Sequence, residues 1–154
     1  MKTQTFSLLP GGHNHLRGWA DAPPSVAFAF GDPDALRMRE LFEQLAAAYP
    51  EAVIIGCSTA GEILGDSVLD GTLTGAVAAF DKATVRAAHE PVTGPADSYR
   101  AGVALGARLA REDLRAVIVL SEGIHVNGSE LVRGLDDALG SDVVVTGGLA
   151  ADGN

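Results

Sequence analysis

The sequence has few cysteines, few aromatic residues and little positive charge. It contains one cysteine, 5% aromatic residues, and 11 lysines and arginines against 20 acidic residues. A single cysteine cannot form an internal disulfide, which favours a reducing, cytoplasmic location. The formal net charge of −9 argues against binding to nucleic acid or to an anionic membrane, because phosphate groups attract a basic surface.

Long apolar runs are also missing from the chain. None approaches the roughly 20 residues that a membrane-spanning helix needs, and the N-terminus lacks the apolar core and cleavage site of a signal peptide. The chain is instead 47% hydrophobic and has 19 glycines, which indicates a core of small, closely packed elements. At 154 residues, we expect one domain that buries a substantial core.

Alternating strand and helix patterns predict an α/β fold. Apolar residues at helical spacing predict a helix at 32–49, and β-branched or apolar runs on either side of it predict strands at 26–30 and 52–57. Such a strand–helix–strand unit makes its two strands parallel. We expect a mixed, mostly parallel central sheet of about six strands with about three helices packed on it. The remaining predicted elements are helices at 97–112 and 127–139, strands at 116–120 and 142–146, and an antiparallel strand pair at 72–80 and 84–92.

Two glycines, Gly102 and Gly106, interrupt the second predicted helix at a spacing of four residues. A glycine inside a helix costs about 1 kcal/mol relative to alanine. The pair therefore predicts close approach of this helix to another backbone, most simply that of the sheet.

Residues 1–24 form a separate N-terminal segment with one candidate strand at 5–9, and the main domain covers residues 25–154. His13 and His15 lie on one face only if this segment is extended. In that case they form a candidate metal or haem ligand pair, and the alternative is a solvated loop.

Glycines and small polar residues follow the predicted strands in three segments, at 56–62, 121–128 and 147–153. Because the carboxyl ends of parallel strands meet at one edge of a sheet, we expect these segments to converge there. Thr59 and Glu62 have capping-box spacing, which predicts that a short helix begins at this point. N–H groups at two helix starts would hold a carboxylate, and acidic side chains would hold an ammonium group. The candidate ligand-binding residues are Gly56, Cys57, Ser58, Thr59, Gly61, Glu62, Glu122, His125, Asn127, Gly147, Gly148 and Asp152.

The same three segments resemble the N-terminal FIST domain, a sensory module of bacterial signal-transduction proteins. They read IGCSTAGEI at 55–63, LSEGIHVNG at 120–128 and VTGGLAADG at 145–153, in an order that spans about residues 25–154. The resemblance implies a sensory module that binds a small, amino-acid-like ligand, and haem is bound in some relatives. Such proteins continue beyond the last motif, so we expect residues 25–154 to be an incomplete domain.

A sensor without an output domain has to pass its signal to another protein. The resemblance therefore implies a signalling partner in trans, of the histidine kinase, cyclase or methyl-accepting type, and leaves a homodimer open. The ligand would bind one conformation better than another, and the partner would respond to the change in population.

Two other functions remain as alternatives. The first is a haem-binding gas sensor of the same family, in which His89 or His125 ligates the iron, although no Cys-x-x-Cys-His attachment motif is present. The second is an enzyme with Cys57 or Ser58 as its nucleophile. A nucleophile needs a base within hydrogen-bond reach, and neither histidine lies at a recognised spacing. Phosphate-loop and zinc-ligand patterns are missing as well, so we expect no catalytic residue, no metal site and no resident cofactor.

Overall fold

The computed structural model describes residues 1–12, 14, 16 and 23–150. These residues form two units, Met1–Val85 and Arg86–Ala150. None of the described helices is both long enough and apolar enough to cross a membrane. The first unit contains β1 Lys2–Leu8, β2 Val26–Gly31, α1 Ala35–Ala48, β3 Val53–Ser58, β4 Glu62–Leu64, β5 Ser67–Leu69 and β6 Leu73–Ala79. The second contains α2 Ser98–Leu109, β7 Ala116–Ser121, α3 Gly128–Leu139 and β8 Val144–Leu149.

The first unit is built on a four-stranded sheet in the order β1-β6-β2-β3. β2 and β3 run parallel, which confirms the strand–helix–strand prediction. β6 lies antiparallel to both β1 and β2. The candidate strand in the N-terminal segment is therefore part of the sheet, and it begins earlier than the predicted 5–9.

One face of α1 covers this sheet and forms the larger hydrophobic core. Its Leu41 and Leu45 side chains are fully buried together with Leu8, Leu73 and Val77 of the sheet. Burial of each leucine or valine side chain stabilises the fold by about 1.5–3 kcal/mol. The helical spacing of apolar residues in the sequence therefore identified the buried face of this helix correctly.

The second unit packs two helices against the parallel pair β7–β8. The helices approach closely at glycines: a Cβ on Gly102 would lie 2.9 Å from the Leu135 nitrogen, and one on Gly134 would lie 2.9 Å from the Val103 nitrogen. The predicted close approach at Gly102 is therefore confirmed. Its partner is α3, however, and the expectation that the sheet occupies this position was wrong.

The prediction of one mostly parallel sheet of about six strands was also wrong, although the α/β class and the three helices are confirmed. The described strands form three separate sheets, and the four-stranded one has a single parallel pair. Residues 84–92 form no strand. Their polar groups bind α2 instead, since Glu90 pairs with Arg108 at 2.8 Å and the His89 carbonyl accepts from the Arg108 guanidinium at 2.6 Å.

The short helix predicted after Thr59 is a β-hairpin in the structure. β4 and β5 pair antiparallel, and Gly65 with its φ of 64° makes the turn between them. The Glu62 side chain does accept a hydrogen bond from Thr59, at 2.7 Å, but this bond joins two side chains and caps no helix. The capping-box spacing therefore brings Thr59 and Glu62 together, but the helix that it predicted does not form, and the bond differs from the side-chain-to-main-chain bonds of a capping box.

Candidate functional site

Three of the six predicted ligand residues in the first group lie inside β3, namely Gly56, Cys57 and Ser58. Cys57 pairs with Phe30 and Ser58 pairs with Gly31 across the parallel strands, and the Thr59 N–H donates to the Gly31 carbonyl at 2.9 Å. A Cβ on Gly56 would collide with the carbonyl of Ala29, so only glycine permits this pairing. The strand thus extends one residue beyond the predicted 52–57, to Ser58, and the sheet holds the first part of the 56–62 segment.

Glu62 is a buried carboxylate with three hydrogen bonds. Only 2% of its surface is exposed, and it accepts from the hydroxyl of Thr59 at 2.7 Å, from the hydroxyl of Thr72 at 2.9 Å and from the N–H of Thr72 at 3.3 Å. All three donors are neutral, and no described basic group lies within ion-pair distance. The carboxylate therefore joins the end of β3 and the hairpin to the residue before β6.

Sequence reasoning missed Thr72. It lies ten residues from Glu62, beyond the range of a local capping pattern. Its only local signal is its position as the first residue of the predicted strand at 72–80, and that position does not identify its partner.

The thiol of Cys57 is half-buried. Burial raises the pKa of this thiol above its ordinary value of 9.0. The thiolate is the nucleophilic form, so the thiol stays protonated at neutral pH and the environment disfavours nucleophilic chemistry at this position.

The second group begins where β7 ends, in a loop that contains an accessible acid and base. The Glu122 carboxylate accepts from the N–H of Ile124 at 2.8 Å and from the N–H of His125 at 2.6 Å. Its Oε1 also lies 3.5 Å from the His125 Nδ1, and the two side chains are 45% and 64% exposed. Both groups are therefore ordered by the turn and remain open to solvent.

The pKa of Glu122 reflects two opposing effects. Partial desolvation raises the pKa. Hydrogen bonds from the N–H groups of Ile124 and His125 lower it, and the charge of a protonated His125 lowers it further. The net shift is downward. Glu122 is therefore ionised at neutral pH. An exposed, ionised carboxylate is a suitable partner for a cationic group of a ligand.

Asn127 caps α3, at the three-residue spacing from Glu130 that is typical of a capping box. Its Oδ1 accepts from the Glu130 N–H at 3.2 Å, and its own N–H donates to the hydroxyl of Ser98 at 2.9 Å. Ser98 is fully buried at the first turn of α2. Ser98 therefore anchors the start of α3.

Gly147 and Gly148 lie inside β8, although the sequence predicted that they follow it. Gly147 has a φ of 151°, and a Cβ there would collide with the Val119 carbonyl. Beyond the strand, the Ala150 N–H donates to the Ser121 carbonyl at 2.6 Å. The end of β8 therefore lies beside the start of the 121–128 loop, which is the shared edge predicted for these two segments.

The predicted residues thus fall into one group in each unit. Asp152, His13 and His15 lie outside the described residues. His89 and His125 are both exposed, so neither has the apolar surroundings that enclose a haem. The described ranges contain no cluster of three His, Cys, Asp or Glu side chains that could hold a metal. The first group comprises Gly56, Cys57, Ser58, Thr59, Gly61 and Glu62, and the second comprises Glu122, His125, Asn127, Gly147 and Gly148.

Comparison with known proteins gives one match. Residues 25–154 match the family model of the FIST N domain. No curated protein and no solved structure matches the chain. The matched range contains all three of the segments described above.

Proposed function

We propose, from the premise that this chain belongs to the FIST N domain family, that it is a sensory module which binds an amino-acid-like small molecule. FIST domains are generally sensory modules of signal transduction. The observation that carries the proposal is the loop between β7 and α3. It contains an exposed carboxylate, an exposed imidazole and the N-terminus of a 12-residue helix within residues 122–128.

This loop offers complementary groups for both charges of a zwitterion. The ionised Glu122 attracts an ammonium group through a charge-assisted hydrogen bond. At the start of α3, the Asn127 and Glu130 N–H groups already have acceptors, whereas those of Gly128 and Ser129 have none in the described part of the chain. These two donors and the positive end of the helix dipole favour a carboxylate.

Ligand binding would act by a population shift. A ligand that contacts both Glu122 and α3 favours the conformation in which it makes both contacts at once. The partner that recognises this conformation would be a cytoplasmic signalling protein in trans, of the histidine kinase, cyclase or methyl-accepting type. The residues from Gly56 to Glu62 remain predicted ligand contacts of the other unit.

Thermal unfolding with a panel of amino acids tests the proposal. A ligand present at 100 times its dissociation constant stabilises the protein by about 2.7 kcal/mol, which raises the unfolding temperature measurably. Glu122→Gln removes the negative charge and retains the shape, and we expect it to weaken binding by at least about tenfold, because a hydrogen bond to a charged group contributes about 1.5–3 kcal/mol.

Glu112→Gln is the matched control. Glu112 is an exposed acid of the same unit, located before β7 and therefore at the opposite end of this strand from Glu122. Binding should survive this change. Equal loss in both variants would mean that net charge matters and the loop does not, and a panel that leaves the unfolding temperature unchanged would contradict the ligand class.

A further inference from the structure

The Glu122 carboxylate lies in a turn that places an imidazole beside it. Its Oε1 accepts from the main-chain N–H of His125 at 2.6 Å and lies 3.5 Å from the Nδ1 of the same residue. Its Oε2 accepts from the Ile124 N–H at 2.8 Å. The two main-chain bonds fix the carboxylate relative to residue 125, so the turn alone brings the imidazole within reach of Oε1.

Glu122 is also the one charged group within ion-pair distance of His125 in the part of the chain that the structure describes. The end of β8 lies beside the loop with Leu149 and Ala150, which carry no charge. The charged groups at the starts of α2 and α3 already form ion pairs, Asp97 with Arg100 at 3.6 Å and Glu130 with Arg133 at 2.6 Å. A charge on His125 therefore acts mainly on Glu122.

We propose that His125 is an internal counter-ion that competes with the ammonium group of the ligand for Glu122. A protonated imidazole pairs with Oε1 and neutralises the one acidic side chain of residues 122–128. A neutral imidazole leaves the carboxylate its charge, which then attracts the ammonium group. Histidine normally changes its charge between about pH 5 and 8, so the loop binds its ligand less tightly on acidification. This inference rests on the proposed function and adds regulation by pH to it.

The competition acts through charge and leaves space for both partners. A carboxylate has about four lone-pair positions, and two main-chain N–H groups occupy part of this capacity. The Glu122 and His125 side chains are 45% and 64% exposed, so solvent screens their attraction. Since an exposed ion pair shifts an equilibrium by up to about fivefold, we expect the ligand to bind about twofold to fivefold less tightly at pH 5.5 than at pH 8.

Competition also predicts the direction of proton exchange on binding. A ligand ammonium group that replaces the imidazolium as the partner of Glu122 favours the neutral imidazole, so binding releases protons. An imidazolium that contacted the ligand carboxylate would instead be stabilised, and binding would take protons up. Proton release in the pH range in which histidine titrates is therefore the signature of the competing role.

Isothermal titration calorimetry of the full chain measures this exchange at about pH 6.5, with the amino acids of the panel as probes and two buffers of different ionisation enthalpy. We expect release of part of a proton for the natural sequence and none for His125→Gln. His89→Gln is the matched control, because His89 is an exposed histidine of the same unit outside the loop, and it should release protons as the natural sequence does. Zero exchange, proton uptake, or release that survives in His125→Gln would overturn the proposal.

A double-mutant cycle without ligand tests the ion pair by itself. The free energy of unfolding in urea is compared at pH 5.5 and pH 8 for the natural sequence, Glu122→Gln, His125→Gln and the double variant. The two changes should be coupled at pH 5.5, by up to about fivefold in the unfolding constant, and additive at pH 8, where the imidazole is neutral. Additivity at both pH values would overturn the proposal even if a ligand binds. A panel without a ligand would contradict the proposed function, whereas coupling at pH 5.5 would still support the counter-ion, so the two can fail separately.

Discussion

Replacing Thr72 by valine is expected to destabilise the first unit through the loss of one hydrogen bond to Glu62. Valine has nearly the same shape and lacks the hydroxyl that donates to the Glu62 carboxylate at 2.9 Å. Thr72 and Glu62 are each only 2% exposed, so water cannot replace the lost donor. A hydrogen bond to a charged group contributes about 1.5–3 kcal/mol, and we expect the free energy of unfolding to fall by about 2 kcal/mol.

The neighbouring Thr74 supplies a matched control. It is 3% exposed in β6, and its hydroxyl has no hydrogen-bond partner among the described residues. Thr74→Val should therefore leave stability nearly unchanged or raise it slightly, since an unpaired buried hydroxyl is removed.

Urea unfolding followed by far-UV circular dichroism measures both variants. The reasoning requires a lower midpoint for Thr72→Val at an unchanged slope, with little change for Thr74→Val. Equal losses in the two variants would show that threonine is needed for strand packing, and the Glu62 network would then contribute no specific stability.

Three further predictions concern single positions. Gly147→Ala should destabilise the second unit by about 1–3 kcal/mol, because Gly147 has a φ of 151° and a Cβ there meets the Val119 carbonyl. Gly148 has open space around it, so Gly148→Ala should be tolerated in the same urea assay. Alkylation of Cys57 by iodoacetamide should be slow at pH 7, and its rate should still be rising with pH at 9.0, the ordinary pKa of this thiol, because burial raises the pKa and the rate follows the thiolate fraction. Rapid reaction at pH 7, or a rate that levels off below pH 9.0, would contradict the assignment. Glu122 has a lowered pKa in the folded protein. Its contribution to stability is therefore present above its unfolded pKa and is lost as the pH falls through the folded pKa. On acidification below the ordinary pKa of 4.5, the free energy of unfolding should decrease more in the natural protein than in Glu122→Gln.

The helices and the β2–α1–β3 unit were predictable because their signals are local. Apolar spacing and end signals predicted helices at 32–49, 97–112 and 127–139, and the structure has them at Ala35–Ala48, Ser98–Leu109 and Gly128–Leu139. The cap between Asn127 and Glu130 spans three residues, within the range of a sequence pattern. The edge shared by the ends of β7 and β8 followed from their parallel direction.

What only the tertiary structure decided is the pairing of groups that are distant in sequence. β6 pairs with β1 and β2, with Leu8 opposite Leu73 and Val26 opposite Ala78, where the sequence predicted the adjacent segment 84–92. The buried role of Glu62 depends on a threonine ten residues away, and the start of α3 depends on a hydroxyl 29 residues away. Apolar alternation specifies that a strand has a buried face, but it does not specify which strand lies beside it, because main-chain hydrogen bonds are the same for every neighbour.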